Sequence, residues 1–202
     1  MIKITLDNNV IVDIENKSHV ADYEKLLRLH IERKIVLRIP AITASERKPD
    51  GTYNSNFNEF KKRIYAIGLS DAEILKPIMY WGISYWDYCL WGGGDLSALD
   101  ASIHKILFPK IEMDFPNYCK KRGLDEGNTD AWKKWVNAKC DVLSMWCHIY
   151  YKGDIFVTRD RNFHKATKKP LLIGLGAKEI LKPDEVFVFA LSNSSSNERN
   201  AS

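Results

Sequence analysis

Two short, largely apolar runs bracketing one helical repeat constrain this chain more than any other feature. Ile2–Leu6 stops at Asp7 and reads as a buried strand. From His19 to Arg33 the apolar residues Val20, Tyr23, Leu26, Leu27 and Ile31 fall at helical spacing. Ile35–Ile39, closed by Pro40, reads as a second strand. Strand, helix and strand within about 35 residues form a βαβ unit, which makes the two strands parallel and their crossover right-handed.

Beyond this unit the pattern loosens. Lys48–Thr52 carries turn chemistry, Phe57–Ile67 suits a helix, and Ser70–Glu73 matches a capping box opening another helix that Pro77 would end. Ser97–Leu107 looks helical and Gly123–Asn128 loop-like. A long amphipathic helix runs from Asp130 towards Gly153, with Trp132, Trp135, Val136, Lys139, Leu143, Trp146, Cys147 and Tyr150 three or four apart. Ile155–Thr158 is a third short strand and Lys178–Leu181 a last one. Pro183 suits the first turn of a final helix. Residues 192–202, almost all Ser, Asn, Glu and Arg, are expected to be disordered. The 202 residues fit one domain, with 45% hydrophobic and 28% charged residues as in globular chains.

The acids are informative by position. Asp7 directly follows the first strand, and Asp160 stands two residues past Thr158, just after the third. Glu46 lies seven residues after Ile39, in the expected first turns of a helix following the second strand. Ligands of open parallel sheets bind outside the carboxyl ends of the strands, so these three acids meet at one edge. Asp141 sits off the apolar stripe of the long helix, on the row with Asn137 and His148, and can face the same crevice. Four carboxylates together repel one another and take up protons unless a cation is present. Mg²⁺ or Mn²⁺, hard ions with oxygen ligands, are the natural cations, and they can activate water for in-line displacement at phosphorus.

Leu6-Asp7-Asn8-Asn9-Val10 resembles the opening D-x-N of PIN-domain nucleases, and Ile39-Pro40-Ala41 through Glu46 resembles their second strand and its glutamate. Cys140-Asp141-Val142-Leu143, followed by Gly153 to Phe163 with its T-x-D-x-x-F ending, is similar to their third and fourth acids. Ile180 to Val186 resembles the I-x-x-P-x-E-F close of the fold. The match covers residues 1–48 and 130–191, and its weight lies in the ordered set rather than in any one motif.

The resemblance implies a three-layer α/β/α fold around a central parallel sheet. Residues 1–191 would form one domain, with a mainly helical, aromatic-rich insertion at about 50–130. It implies an Mg²⁺- or Mn²⁺-dependent endoribonuclease, often the toxin half of a toxin–antitoxin pair and so met by an inhibitory protein partner. Asp7, Glu46, Asp141 and Asp160 carry over as catalytic metal ligands, and Asn9 and Thr158 as groups that support them. The long insertion departs from the compact members. Alternatives on the same site are a DNA- or structure-selective nuclease and a non-catalytic binding module using the aromatic insertion as a protein interface.

Arg159, Arg161, Lys165 and Lys168 belong to a basic run beginning at the site and are read as contacts to a nucleic-acid backbone. A net charge of +4 is compatible with a polyanionic partner. Lys120, Lys121 and Arg122 have no such anchor. Asp13 and Glu15 are expected to be exposed, Asp154 lies at the wrong end of its strand, and Asp100 with His104 reads as a surface pair. His148 reads as a packed or exposed histidine. Gly92-Gly93-Gly94 lacks the Lys-Ser/Thr of a phosphate loop. The aromatics from Tyr80 to Trp91 read as core or a homodimer interface ahead of a base-stacking surface. The four cysteines show no C-x-x-C pair and are expected to be reduced, partly buried thiols. There is no run of eighteen uncharged apolar residues, and the early Asp7 argues against a signal peptide, so a cytoplasmic protein without membrane contact is expected.

Overall fold

The computed structural model describes residues 1–189 apart from His19, Pro49 and Phe187. The expected disordered tail at 192–202 lies outside the described residues. Five parallel strands form the sheet in the order β3-β2-β1-β4-β5: β1 (Ile2–Leu6), β2 (Ile35–Pro40), β3 (Glu73–Leu75), β4 (Ile155–Val157) and β5 (Glu179–Leu181). The chain winds outwards from β1 to β3, then returns to add β4 and β5 on the other side. The sheet therefore reverses direction between β1 and β4, where open α/β sheets form their ligand crevice.

Strand alternation explains the three layers. Ile4, Leu6, Leu37, Ile39, Ile155 and Val157 point to one face. There they bury against α1 (Asn8–Glu15), α2 (Val20–Ile31) and α3 (Phe57–Ala66). Phe156, Leu75 and Ile180 point to the other, beneath α4 (Gly94–Leu107), α5 (Phe115–Arg122) and α6 (Thr129–Tyr150). Two polar side chains on that second face are tied down by hydrogen bonds. His148 on α6 lies between Thr5 Oγ1 (2.9 Å) and the Ala177 carbonyl (2.9 Å). Burial holds its imidazole down at about 4, so it packs as a neutral ring. A Cβ at Gly153 would stand well inside van der Waals contact with that ring, which fixes glycine there. Arg38 donates to Glu73 (2.7 Å) and to the Tyr151 carbonyl (3.0 Å), tying the edge strand to the end of α6.

Several expectations are corrected. Ser70–Glu73 does not open a helix; Glu73–Leu75 is the edge strand, with Ile39 opposite Ile74. Only Lys76 separates it from Pro77, leaving no room for a helical turn, and pairing with β2 satisfies its backbone instead. Thus α3 and β3 belong to the central layers, and the helical elaboration begins only after β3. Helix α5 was not expected, although its signals are present: Asp114 accepts from the Asn117 N–H, Pro116 lies in the first turn, and Gly123 closes the helix at φ 63°.

Asp100 and His104 are buried rather than on the surface. Asp100 pairs with the fully buried Lys139 of α6 at 3.2 Å, while that ammonium stands 4.1 Å from the Tyr80 ring centroid. The four cysteines are buried free thiols, as expected. Among the described residues no helix is long and apolar enough to cross a membrane.

Candidate metal centre

The crevice forms where β1 and β4 end side by side. The Asp7 N–H donates to the Val157 carbonyl (3.0 Å), which sets the end of one strand against the other. Asp7 also caps α1, its carboxylate accepting from the Asn8 N–H at 2.9 Å. Capping and site roles thus coincide in one side chain. Thr158 Oγ1 donates to the other carboxylate oxygen (2.6 Å), and Asn9 Nδ2 reaches both Asp7 and Thr158. Asn9 Oδ1 in turn accepts from the Arg159 N–H at 3.0 Å, so this asparagine stitches the two strand ends together.

Past Thr158 the loop is fixed locally. The Asp160 N–H donates to Thr158 Oγ1 (3.0 Å), the Asn162 N–H donates to Asp160 (2.8 Å), and Phe163 is fully buried 5.2 Å from Phe156. The T-x-D-x-x-F spacing therefore places a hydroxyl on Asp7, a carboxylate at the crevice and an anchor in the core. Glu46 does not lie in an α-helix. Ala41–Ser45 makes a 3-10 turn whose first four residues are buried, and Glu46 ends it in extended conformation. Its Oε2 accepts from Asn8 Nδ2 at 3.1 Å, a role for Asn8 that spacing alone did not reveal. Asp141 stands half-buried on α6 between the fully buried Cys140 and Val142.

The four carboxylates feel one another. Burial raises Asp7 to about 6 and Asp160 adds to it, against hydrogen bonds from Thr158, Asn8 and Asn9. Glu46 is held well above the usual range by burial and by Asp7. Asp141 is raised well above its usual range by burial and then by Asp7, Glu46 and Asp160. Its electrostatic neighbours are all acids.

Comparison with protein-family models, curated proteins and solved structures gave no match.

Whether these residues suit a divalent cation turns on their oxygens. Among the described residues no three His, Cys, Asp or Glu side chains converge tightly enough to form a ready-made metal cluster. Three of the acids are instead held by their own donors: Asn9 and Thr158 on Asp7, Asn8 on Glu46, and the Asn162 N–H on Asp160. Yet Glu46 Oε1 and Asn8 Oδ1 are buried with no hydrogen-bond partner. Orphaned buried acceptors are costly, and a cation would satisfy both. The donors are oxygens, the kind a hard ion takes, but as placed they do not form a cluster around one point.

The basic run divides. Arg161 and Lys165 are exposed beside the crevice. Arg159 is taken up by Asp13 at 2.6 Å, and Asp13 also accepts from the Tyr23 hydroxyl, so Asp13 is a structural partner rather than an exposed decoy. Glu15 likewise pairs with Arg63 through both oxygens at 2.8 Å. The Lys168 ammonium donates to the Leu107 carbonyl and to Asn162, bolting the end of α4 to the loop after β4. In the aromatic segment Phe57 stacks on Tyr88 at 3.5 Å, but Trp81, Trp86 and Trp91 are 70%, 59% and 65% exposed. Of the two readings, core or homodimer interface, the core one fails for these three, which lie on the surface.

Proposed function

We propose that this chain is a metal-dependent endonuclease with a preference for RNA. The observation that supports the reading is that Asp7, Glu46, Asp141 and Asp160 come from four separate segments near the reversal point of the sheet, where burial and one another's charge raise the carboxyls of the first three. There burial and the charges of Asp7, Glu46 and Asp160 raise the Asp141 carboxyl, and Glu46 keeps an unsatisfied buried oxygen. Structural carboxylates are normally matched by donors or cations of the protein itself, and one buried oxygen of Glu46 is not. The PIN-type order of the motifs supports the same reading.

Asp7, Glu46, Asp141 and Asp160 would hold Mg²⁺ or Mn²⁺. A divalent ion bound there supplies Lewis-acid polarisation of a phosphodiester and makes water a stronger nucleophile near neutral pH. Thr158 and Asn9 fix the Asp7 carboxylate so that it does not turn away when its neighbours move. Asn8 does the same for Glu46. Arg161 and Lys165 would hold the substrate backbone, with Arg159 and Lys168 shaping the loop that presents them.

The test is cleavage of labelled RNA and DNA oligomers of equal sequence, with Mg²⁺, Mn²⁺ or EDTA, by the wild type and Asp141→Asn. Cutting of RNA that needs metal and is abolished by Asp141→Asn is the expected result. Faster cutting of DNA would transfer the activity to that substrate. Metal-dependent cutting undiminished in the variant would refute the assignment of the site.

A further inference from the structure

A second feature lies directly beside Asp160. The exit of α4 and the loop after β4 enclose a hollow of about 420 Å³ whose walls include Phe108, Pro109, Lys110, Asp160, Asn162 and Lys165. That volume is within the range of small-molecule sites. Its floor is rigid. Lys168 binds the Leu107 carbonyl and Asn162 Oδ1, and Asn162 Nδ2 reaches the same carbonyl at 3.3 Å. The two loops are thus fixed to each other before any ligand arrives, which removes the cost of ordering them on binding.

The wall chemistry is uneven in a useful way. Lys110 and Lys165 are exposed, and neither ammonium makes an ion pair among the described residues. Phe108 is half-buried, with the Lys168 ammonium 5.8 Å from its ring centroid. Asp160 closes the end nearest the four-acid crevice. A lone inorganic anion would use the lysines and leave the ring idle. An apolar ligand would leave two unpaired ammonium groups and a carboxylate at its rim. One nucleotide uses all of them: its phosphate meets Lys110 and Lys165, and its base lies on Phe108.

Resting on the nuclease reading given above, we propose that this hollow is the subsite for the nucleotide adjoining the phosphate to be cut, and that it takes that nucleotide unpaired. A base reaches a side-chain ring only when it has left a duplex, so the subsite selects single strands. Lys110 and Phe108, which come from the helical elaboration rather than from the motif-bearing segments, set that selection.

The experiment is fluorescence anisotropy of a labelled single-stranded RNA 12-mer and its duplex, bound to the full chain in EDTA so that nothing is cut. Lys110→Glu/Lys165→Glu is compared with Lys62→Glu/Lys134→Glu, an equal change of charge at exposed lysines elsewhere. The subsite pair should weaken single-strand binding at least tenfold and the control pair less than threefold. Phe108→Ala should weaken it by about fivefold or more, as loss of base stacking does, and duplex should bind more weakly than single strand. Equal weakening by both lysine pairs, or no binding by the wild type, overturns the subsite, as does duplex binding as tightly as single strand. Cleavage separates the two claims. Selective loss of binding without any metal-dependent cutting keeps the subsite and sinks the nuclease reading. Normal cutting with an unchanged KM in the subsite pair sinks the subsite alone.

Discussion

Replacing Asp7 by Asn should stabilise the metal-free protein as the pH rises. Asp7 is 3% exposed, and its carboxyl moves from an ordinary 3.8 to about 6 on folding, chiefly through burial. The folded state therefore binds this proton more tightly than the unfolded chain. The stability so gained is complete below about pH 4 and is lost as the pH rises through about 6, a loss worth about 3 kcal/mol. Asn at this position stays neutral and loses nothing. His148 works in the opposite direction over nearly the same window. Held down at about 4, it contributes stability above the ordinary histidine value of 6.5 that is lost as the pH falls towards 4. The wild-type profile alone mixes the two, whereas the difference between Asp7→Asn and wild type cancels the histidine. Urea denaturation in EDTA from pH 4.5 to 7.5 should show the variant gaining on the wild type by about 2 kcal/mol, roughly 4–8 °C in Tm for a chain of this size. In Mn²⁺ at pH 7.5 the order should reverse, because an ion bound only by the folded wild type adds about 4.1 kcal/mol at a thousand times its Kd, more than the carboxylate loses. A difference that is flat with pH, or one in which the wild type gains as the pH rises, would refute the claim that this carboxyl is buried among like charges.

Glu46→Gln should lower RNA cleavage more than about a hundredfold while leaving the circular dichroism spectrum unchanged, since one metal ligand is lost and no packing; cleavage near the wild-type rate would remove Glu46 from the site. Gly153→Ala should cost roughly 1–3 kcal/mol, because its methyl group forces the His148 ring out of place; a thermal melt showing no change would mean that the ring moves freely. Lys139→Met should cost about 3–5 kcal/mol by leaving Asp100 buried and unpaired, and Lys139→Met/Asp100→Leu should recover most of it. Urea melts of both variants check this, and a double variant as weak as the single one would show that the ion pair is not the source of the loss.

Much of the scaffold was legible because its signals are local. The runs at Ile2–Leu6 and Ile35–Ile39 alternate or continue as buried strands do, and the stripe on α6 repeats over 22 residues. The acids could be placed because strand ends say where they lie in an open sheet. What escaped depends on partners far away in sequence. Glu73–Leu75 is three residues long and is a strand only because β2 lies beside it. Asp13 finds Arg159, and Glu15 finds Arg63, across separations that no spacing rule covers. Lys139 was a readable hint, since a lysine within an apolar stripe needs a buried counter-charge, and Asp100 is that charge. The exposure of Trp81, Trp86 and Trp91 is not readable from composition, because an aromatic cluster serves a core and a surface equally well.

The bond between Thr158 and Asp7 joins positions 151 residues apart. The central strand β1 is paired on one side with β4, which follows it by 151 residues of chain. Long-range parallel pairing is slow to form, because the chain entropy is given up before the contacts reward it. Until β4 has docked, Asp7 lacks the Thr158 hydroxyl that orients it, and Asp160 is not yet beside it. Whatever the four acids do, they cannot do it before β4 has docked on β1: the longest-range pairing in the sheet is also the step that assembles the site.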